Sequence, residues 1–281
     1  MAENFIFRPA EQSDQQQLRQ VLDHAEYVYY HLDWSSPLDW LGRQPFWVAE
    51  DRLGIRAALA LIEEPRGIAW LRIYGCRQAV DPRDHWQILL EKCLSRFDPK
   101  QPPTIAALGL KEWLIPLLQG SGFHYHQSIV TLYCDLEKKN DDFQIPPFVF
   151  IRPMEEEDLP VVAAIDQQAF EPIWQNSLPQ IEISHQRARY ATIAEIENQV
   201  VGFQISTASL FSIHLARLAV HPSFMRQRIG YALVADLIRR CRRDKWWELS
   251  VNTQDNNQAS LSLYQKMGFE RSEQNFSVWV L

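Results

Sequence analysis

The sequence is poor in the features that would tie it to a metal, a membrane or an oxidising compartment. Its four cysteines, Cys76, Cys93, Cys134 and Cys241, are scattered, with no CxxC pair and no histidine at metal-ligand spacing. This argues against disulfides and zinc, and predicts reduced, mostly buried thiols in a cytoplasmic protein without a metal site. No apolar run approaches bilayer length; IRAALALI, residues 55–62, has the size of a core strand. The first residues, MAENFIFRPAEQSDQQQ, show no basic stretch leading into an apolar one, so no secretory signal is expected. Positive charge is also in deficit, with 28 Lys and Arg against 35 Asp and Glu, a net charge of -7. That balance disfavours nucleic acid or an anionic membrane as partner, so any anionic ligand must be held by a local basic or amide-rich site.

What is present is a soluble globular composition, 46% apolar and 22% charged, long enough at 281 residues for two ordinary domains. The chain repeats itself. FIFRPAEQSDQQQLRQVL near the start matches FVFIRPMEEEDLPVVAAI in the second half, placing Arg8 and Arg152 144 residues apart. LLQGSGFHYHQSIVTLYCDL matches LYQKMGFERSEQNFSVWVL, placing Gly122 and Gly268 146 residues apart. Between the halves lies LEKKNDDFQIPPF, a charged run with Pro146 and Pro147, which is linker chemistry. Two domains of one fold, 1–140 and 149–281, are predicted.

In the second half, RYATIAEIENQVVGFQIST predicts two strands with a turn at Glu197 and Asn198, and FSIHLARLAV a third. Residues 228–243 carry a helical stripe of Ile229, Ala232, Leu233, Leu237, Ile238 and Cys241. WWELSVNT reads as a strand, SLSLYQKMG as a helix stopped by Gly268, and NFSVWVL as a last strand. The result is an α/β unit of the α+β mixed-sheet kind, with a helix following a central strand.

The segment LAVHPSFMRQRIGYALV turns at His221-Pro222 and then starts that helix. Unpaired N–H groups and the helix dipole there attract an anion, and Arg226 and Arg228 add full charges. The loop has one glycine, Gly230, and by itself is equally readable as a solvated basic helix start.

Downstream, VNTQDNNQASLSLYQKMGF places Asn257, Ser260, Leu263, Tyr264, Gly268 and Phe269 in the spacing N-x-x-S-x-x-L-Y-x-x-x-G-F. Together with the His-Pro turn and the basic loop, this resembles the GNAT superfamily of acetyl-CoA-dependent N-acyltransferases, over about residues 149 to 281. The resemblance implies two tandem acyl-CoA N-acyltransferase-like domains, the first degenerate. It implies a pyrophosphate loop at Arg226, Gln227, Arg228, Ile229, Gly230 and Tyr231, with Met225 and Arg228 standing where the family has Gln or Arg and Gly. It further implies that backbone groups of Leu218, Ala219 and Val220 serve the pantetheine and the acetyl carbonyl. Asn257 and Ser260 then stand beside the pantetheine arm, and Tyr264 is the general acid near the sulfur. A core tyrosine and a helix-capping Asn257 are the plainer readings of the same residues. The first-half counterpart, IYGCRQAVDPRDHWQILLEKCL, offers Asp81 and Asp84 and no glycine at the turn, with Gln119 in place of the tyrosine, and is expected not to bind cofactor.

Acyl transfer to nitrogen requires a neutral amine, so a base is wanted. Relatives acting on ribosomal-protein N-termini often have Glu where this chain has Ser250; His214, Glu195 and Glu171 are the replacements considered. His124 and His126 alternate on one strand face without a third ligand, so they read as structural. The expected cosubstrate is acetyl-CoA, and the expected partner an amine, small molecule or peptide, of unassigned identity. The resemblance places acceptor selection in loops before the cofactor strand, here roughly residues 170–184, FEPIWQNSLPQIEIS, whose acidic and aromatic composition leans toward a cationic amine. The alternative is a non-catalytic binding or scaffold protein, and oligomeric state is not readable.

Overall fold

A computed structural model of the chain describes residues 5–77, 81–137 and 143–281; the centre of the charged linker run and three residues ahead of Asp81 lie outside the described residues. Two compact units form, residues 1–127 with 276–281, and residues 128–275.

In the first unit the order is β1 (Ile6–Pro9), α1 (Gln15–His24), β2 (Tyr27–Tyr30), β3 (Phe46–Asp51), β4 (Gly54–Glu63), β5 (Ile68–Cys76), α2 (Pro82–Leu94), β6 (Thr104–Gly109) and α3 (Ile115–Gly120), then the start of β7 (His124–Asp135). β3, β4 and β5 form an antiparallel meander, and β5 runs parallel to β6 through the crossover helix α2. The apolar run 55–62 is the centre of that meander, its residues buried on both faces because α1 and α2 each take one. Asp81 caps α2 by accepting from the Arg83 N–H at 2.8 Å, with Pro82 at the first helical position.

The second unit repeats the plan with β8 (Phe150–Pro153), α4 (Leu159–Ala169), α5 (Leu178–Arg187), β9 (Tyr190–Ile196), β10 (Gln199–Ala208), β11 (Ser212–Val220), α6 (Ile229–Arg243), β12 (Glu248–Gln254), α7 (Gln258–Lys266) and β13 (Glu270–Val280). Glu197 and Asn198 join β9 to β10 with φ of 50° and 62°, the left-handed pair that a two-residue hairpin requires. The apolar stripe of α6 covers Ile213, Leu215, Leu249 and Val251 of β11 and β12. Gly268, at φ 85°, ends α7 as its position predicts. The segment expected as an acceptor-selecting loop, 170–184, is instead mostly ordered into a 3-10 turn (Pro172–Trp174) and α5, whose N-cap Ser177 accepts from the Gln180 N–H. Ile181 and Ser184, three apart, are turned inward and anchor that helix.

Each half of the sequence supplies its last strand to the other unit. Ser277–Val280 of β13 pair with Gly109–Ala106 of β6, and residues 129–135 of β7 pair with 254–248 of β12. The repeat is also legible at side-chain level. Arg8 donates to Asp14 (2.7 Å) and Glu50 (2.7 Å), and Arg152 to Asp158 (2.7 Å) and Glu195 (2.9 Å). In both units the aspartate also accepts the backbone N–H three residues back, at 2.8 Å, and closes the first turn. All four cysteines are reduced thiols and buried.

Candidate acyl-transfer site

β11 and β12 are parallel neighbours only from Ser212 and Glu248 to Leu215 and Val251. Beyond that point they part, and the parting coincides with a bulge: Ile205 of β10 faces Arg217 and Ser206 faces Leu215, so Ala216 is the extra residue. The bulge bends β11 away and leaves one edge of residues 217–220 without a strand partner among the described residues. His221 N–H donates to the Val201 carbonyl, which fixes the alternation: 219 and 221 turn their backbone groups toward β10, while Leu218 and Val220 turn theirs toward the gap. Of the three residues expected on this strand, Leu218 and Val220 therefore turn to the gap N–H and C=O groups that have no strand partner among the described residues, and Ala219 faces β10.

Past Val220 the His221 imidazole accepts from the Ser223 N–H, tightening the Pro222 turn. Arg226 and Arg228 both adopt φ of 63°, and Arg228 is the N-cap of α6. Its carbonyl accepts from Ala232 N–H at 2.9 Å, so the N–H groups of Ile229, Gly230 and Tyr231 are the three left over at the helix start. The Arg228 guanidinium stands 4.6 Å from the Tyr231 ring centroid, which holds a full positive charge beside those amides. Ile229 is buried and pins the helix to the sheet. A Cβ on Gly230 would meet Leu263 at 3.4 Å and Val220 at 3.7 Å, ordinary contacts, so the packing of α6 on α7 and β11 leaves room for a side-chain carbon there.

Tyr264 lies on α7, buried, its ring tilted against Phe269 at 5.4 Å between centroids. Burial pushes its hydroxyl pKa above the ordinary tyrosine value. Asn257 is the N-cap of α7: its Oδ1 accepts from Ser260 N–H at 3.1 Å and its Nδ2 donates to Gln254 Oε1 at 3.4 Å. The capping role and a role toward a ligand are compatible, because the cap fixes where the asparagine stands.

On the opposite face of the sheet from α6, His214 and Ser250 are register partners, with Nδ1 and Oγ 2.9 Å apart. Burial lowers the His214 pKa, so the imidazole is neutral at physiological pH. Glu195 is taken up by Arg152, and Glu171 precedes the 3-10 turn as its N-cap, leaving His214 as the candidate base on the strand that borders the gap. Sequence reasoning missed Arg217. It donates to Asp166 at 2.6 and 2.8 Å and to the Trp174 carbonyl at 2.6 Å, with its guanidinium 3.6 Å from the Phe170 centroid. This buried pair ties the bulged strand to α4 and to the segment before α5. Asp166 within an apolar helix was the available signal, since a carboxylate on such a face requires a partner.

The first unit closes the corresponding gap. β5 and β6 pair from Ile68 to Trp70, and beyond them β2 pairs with Ile73–Cys76 on that same edge of β5. Fully buried Tyr29 of β2 accepts from the Leu108 N–H at 3.2 Å, bridging to β6.

Residues 155–269 match the Acetyltransferase (GNAT) family. The second unit carries a GNAT domain. Over 123 residues, 43% of this chain, the sequence is 28% identical to the [Ribosomal protein bS18]-alanine N-acetyltransferase of Escherichia coli K12, covering 81% of that protein. Two solved structures are similar over 99% of the chain. A tandem GNAT protein from the clavulanic acid biosynthesis pathway has a TM-score of 0.67 at 15% identity, with 98% of it covered. A GCN5-related N-acetyltransferase from Sphaerobacter thermophilus has a TM-score of 0.64 at 14% identity, with 95% covered. At these identities the two structures show the fold alone, and they show it for both units.

Proposed function

We propose that the protein is an acetyl-CoA-dependent N-acetyltransferase whose working site lies in the second unit. The observation that carries this reading is the parting of β11 and β12 at the Ala216 bulge, directly ahead of the three free N–H groups at the start of α6. The fit to acetyl-CoA follows from the chemistry present. A strand edge with unpaired N–H and C=O groups suits an amide-bearing pantetheine arm. Free helix amides flanked by Arg226 and Arg228 suit a pyrophosphate.

When bound, acetyl-CoA supplies an acyl thioester as electrophile. The His214 imidazole takes the proton from the incoming ammonium, so that a neutral nitrogen forms the new C–N bond. The Leu218 and Val220 edge fixes the carbonyl. As the C–S bond breaks, the sulfur takes its proton from Tyr264, which its raised pKa keeps protonated across the working range. The second proton that the nitrogen sheds on becoming an amide passes through solvent to restore the tyrosine. Base and acid stand on opposite faces of the sheet, and this reading requires both to reach one ligand in the gap between the strands.

The test is direct. Acetyl-CoA is expected to raise the melting temperature in a concentration-dependent way, and the protein to acetylate members of an amine and peptide panel. No shift at millimolar acetyl-CoA counts against the assignment. Binding without transfer to any amine leaves a non-catalytic acyl-CoA-binding protein. Unchanged turnover in Tyr264→Phe removes that residue as the acid.

A further inference from the structure

A cavity of ≈ 790 Å³ opens at the N-terminal ends of β11 and β12. Among the described residues four carboxylates line it, Asp135, Glu137, Glu248 and Glu270, against one guanidinium, Arg271. Its wall includes Phe211 and Trp247, both largely exposed and stacked face to face at 5.1 Å and 14°. Carboxylates alone would be an ordinary solvated edge. What distinguishes this cavity is its aromatic wall and its position on the sheet.

Register sets that position. Ser212, Glu248 and Asp135 form one row across β11, β12 and β7, and His214, Ser250 and Tyr133 form the next row but one. Ile213, Leu215, Leu249, Val251, Leu132 and Cys134 all belong to the core under α6, so both rows face the other way, on the His214 side. The cavity, which Tyr133 of the second row also lines, thus lies on the same face of the sheet as the candidate base, with its acidic row about 7 Å from the His214 row.

We infer that this cavity is the acceptor mouth and that it selects an amine carrying a second positive charge four to five carbons from the reacting nitrogen. The inference rests on the acetyltransferase reading above. With the reacting nitrogen at His214, a chain advancing about 1.25 Å per bond places its second ammonium among Glu248 and Asp135. The stacked Phe211 and Trp247 offer ring faces to the methylenes and to any further cation. An acceptor with an anionic tail is repelled by the same row.

The experiment compares 1,4-diaminobutane with butylamine by calorimetry in the presence of CoA, and by acetyl transfer from acetyl-CoA, in the unmodified protein and in Glu248→Gln and Asp135→Asn. The diamine is expected to bind roughly fivefold tighter or better at low salt, with a correspondingly lower KM. Each variant should reduce that preference at unchanged acetyl-CoA affinity. In the unmodified protein it should fade as salt rises from about 0.01 M to about 1 M, where the screening length falls from ~30 to ~3 Å. Acetyl transfer to both amines with equal KM, or variants that keep the full preference, overturns the acceptor inference and leaves the acetyltransferase reading intact. A diamine that binds without being acetylated overturns both the enzyme reading and the acceptor role, and leaves only a cation site.

Discussion

Arg228 stands at a left-handed position, where a non-glycine residue costs about 1 to 2 kcal/mol, yet its guanidinium is held beside the helix amides by Tyr231. Charge and strain are separable by substitution. Arg228→Ala keeps the strained backbone and loses the cation, and is expected to weaken acetyl-CoA binding about tenfold in a titration. Arg228→Gly loses the same cation but relieves the backbone, so it should bind as weakly as the alanine variant while melting higher. Equal affinity in all three proteins would show that Arg228 contributes no charge to the site. His214 carries a second prediction at this scale. Because burial lowers its pKa, the fraction of neutral base declines only below pH 6.5, and the acid limb of kcat/KM is expected there. His214→Gln should flatten that limb and slow turnover by about 100-fold; a limb that persists unchanged in the variant assigns the base elsewhere.

Among the elements, β2 explains why one fold present twice yields one candidate site. It pairs with β5 where β11 in the second unit is left unpaired, and Tyr29 locks it to β6. A titration is therefore expected to give one acetyl-CoA per chain; two would show that β2 yields its place. The paired Arg–Asp triads operate at this scale too. Arg152 hydrogen-bonds Asp158 and holds its carboxyl below the usual aspartate range, so the stabilisation is fully present above about pH 4 and is lost as pH falls through the lowered value. Asp158→Asn should cost about 2 to 4 kcal/mol at pH 7 in denaturant unfolding, and the deficit should shrink at pH 3. Most of these elements were legible from the sequence. The Glu197-Asn198 turn, the α6 stripe and the Gly268 stop rest on local chemistry, and the repeat identified the equivalent elements of the other half. The sequence of α5 reads as loop because three polar residues and a proline surround its start, and only Ile181 and Ser184 finding the core reveals the helix.

For the molecule as a whole, the exchanged strands make the chain's last residues part of the first unit. Deleting residues 276–281 removes Val278, Trp279 and Val280, all buried, and uncovers the edge of β6. At about 1.5 to 3 kcal/mol for each buried side chain, that loss approaches the whole stability of a domain. Hydrogen exchange is expected to show loss of protection in β4 to β6, with the acetyl-CoA-induced melting shift of the second unit retained. Loss of protection confined to β12 and α7 would contradict the pairing.

The sequence by itself determined the repeat, the α/β order of each half, the anion-suited start of α6 and the Asn257, Ser260 and Tyr264 motif, because each is written within a few residues of chain. Tertiary structure alone decided the rest. It determined which edge of β11 is free, that β2 fills the gap in the first unit, and that the final strands change places. It also put His214 on the same face of the sheet as Glu248 and Asp135, two rows away. Those facts depend on strands distant in sequence lying side by side, and pairing partners are chosen by the packing of the whole sheet rather than by any local pattern.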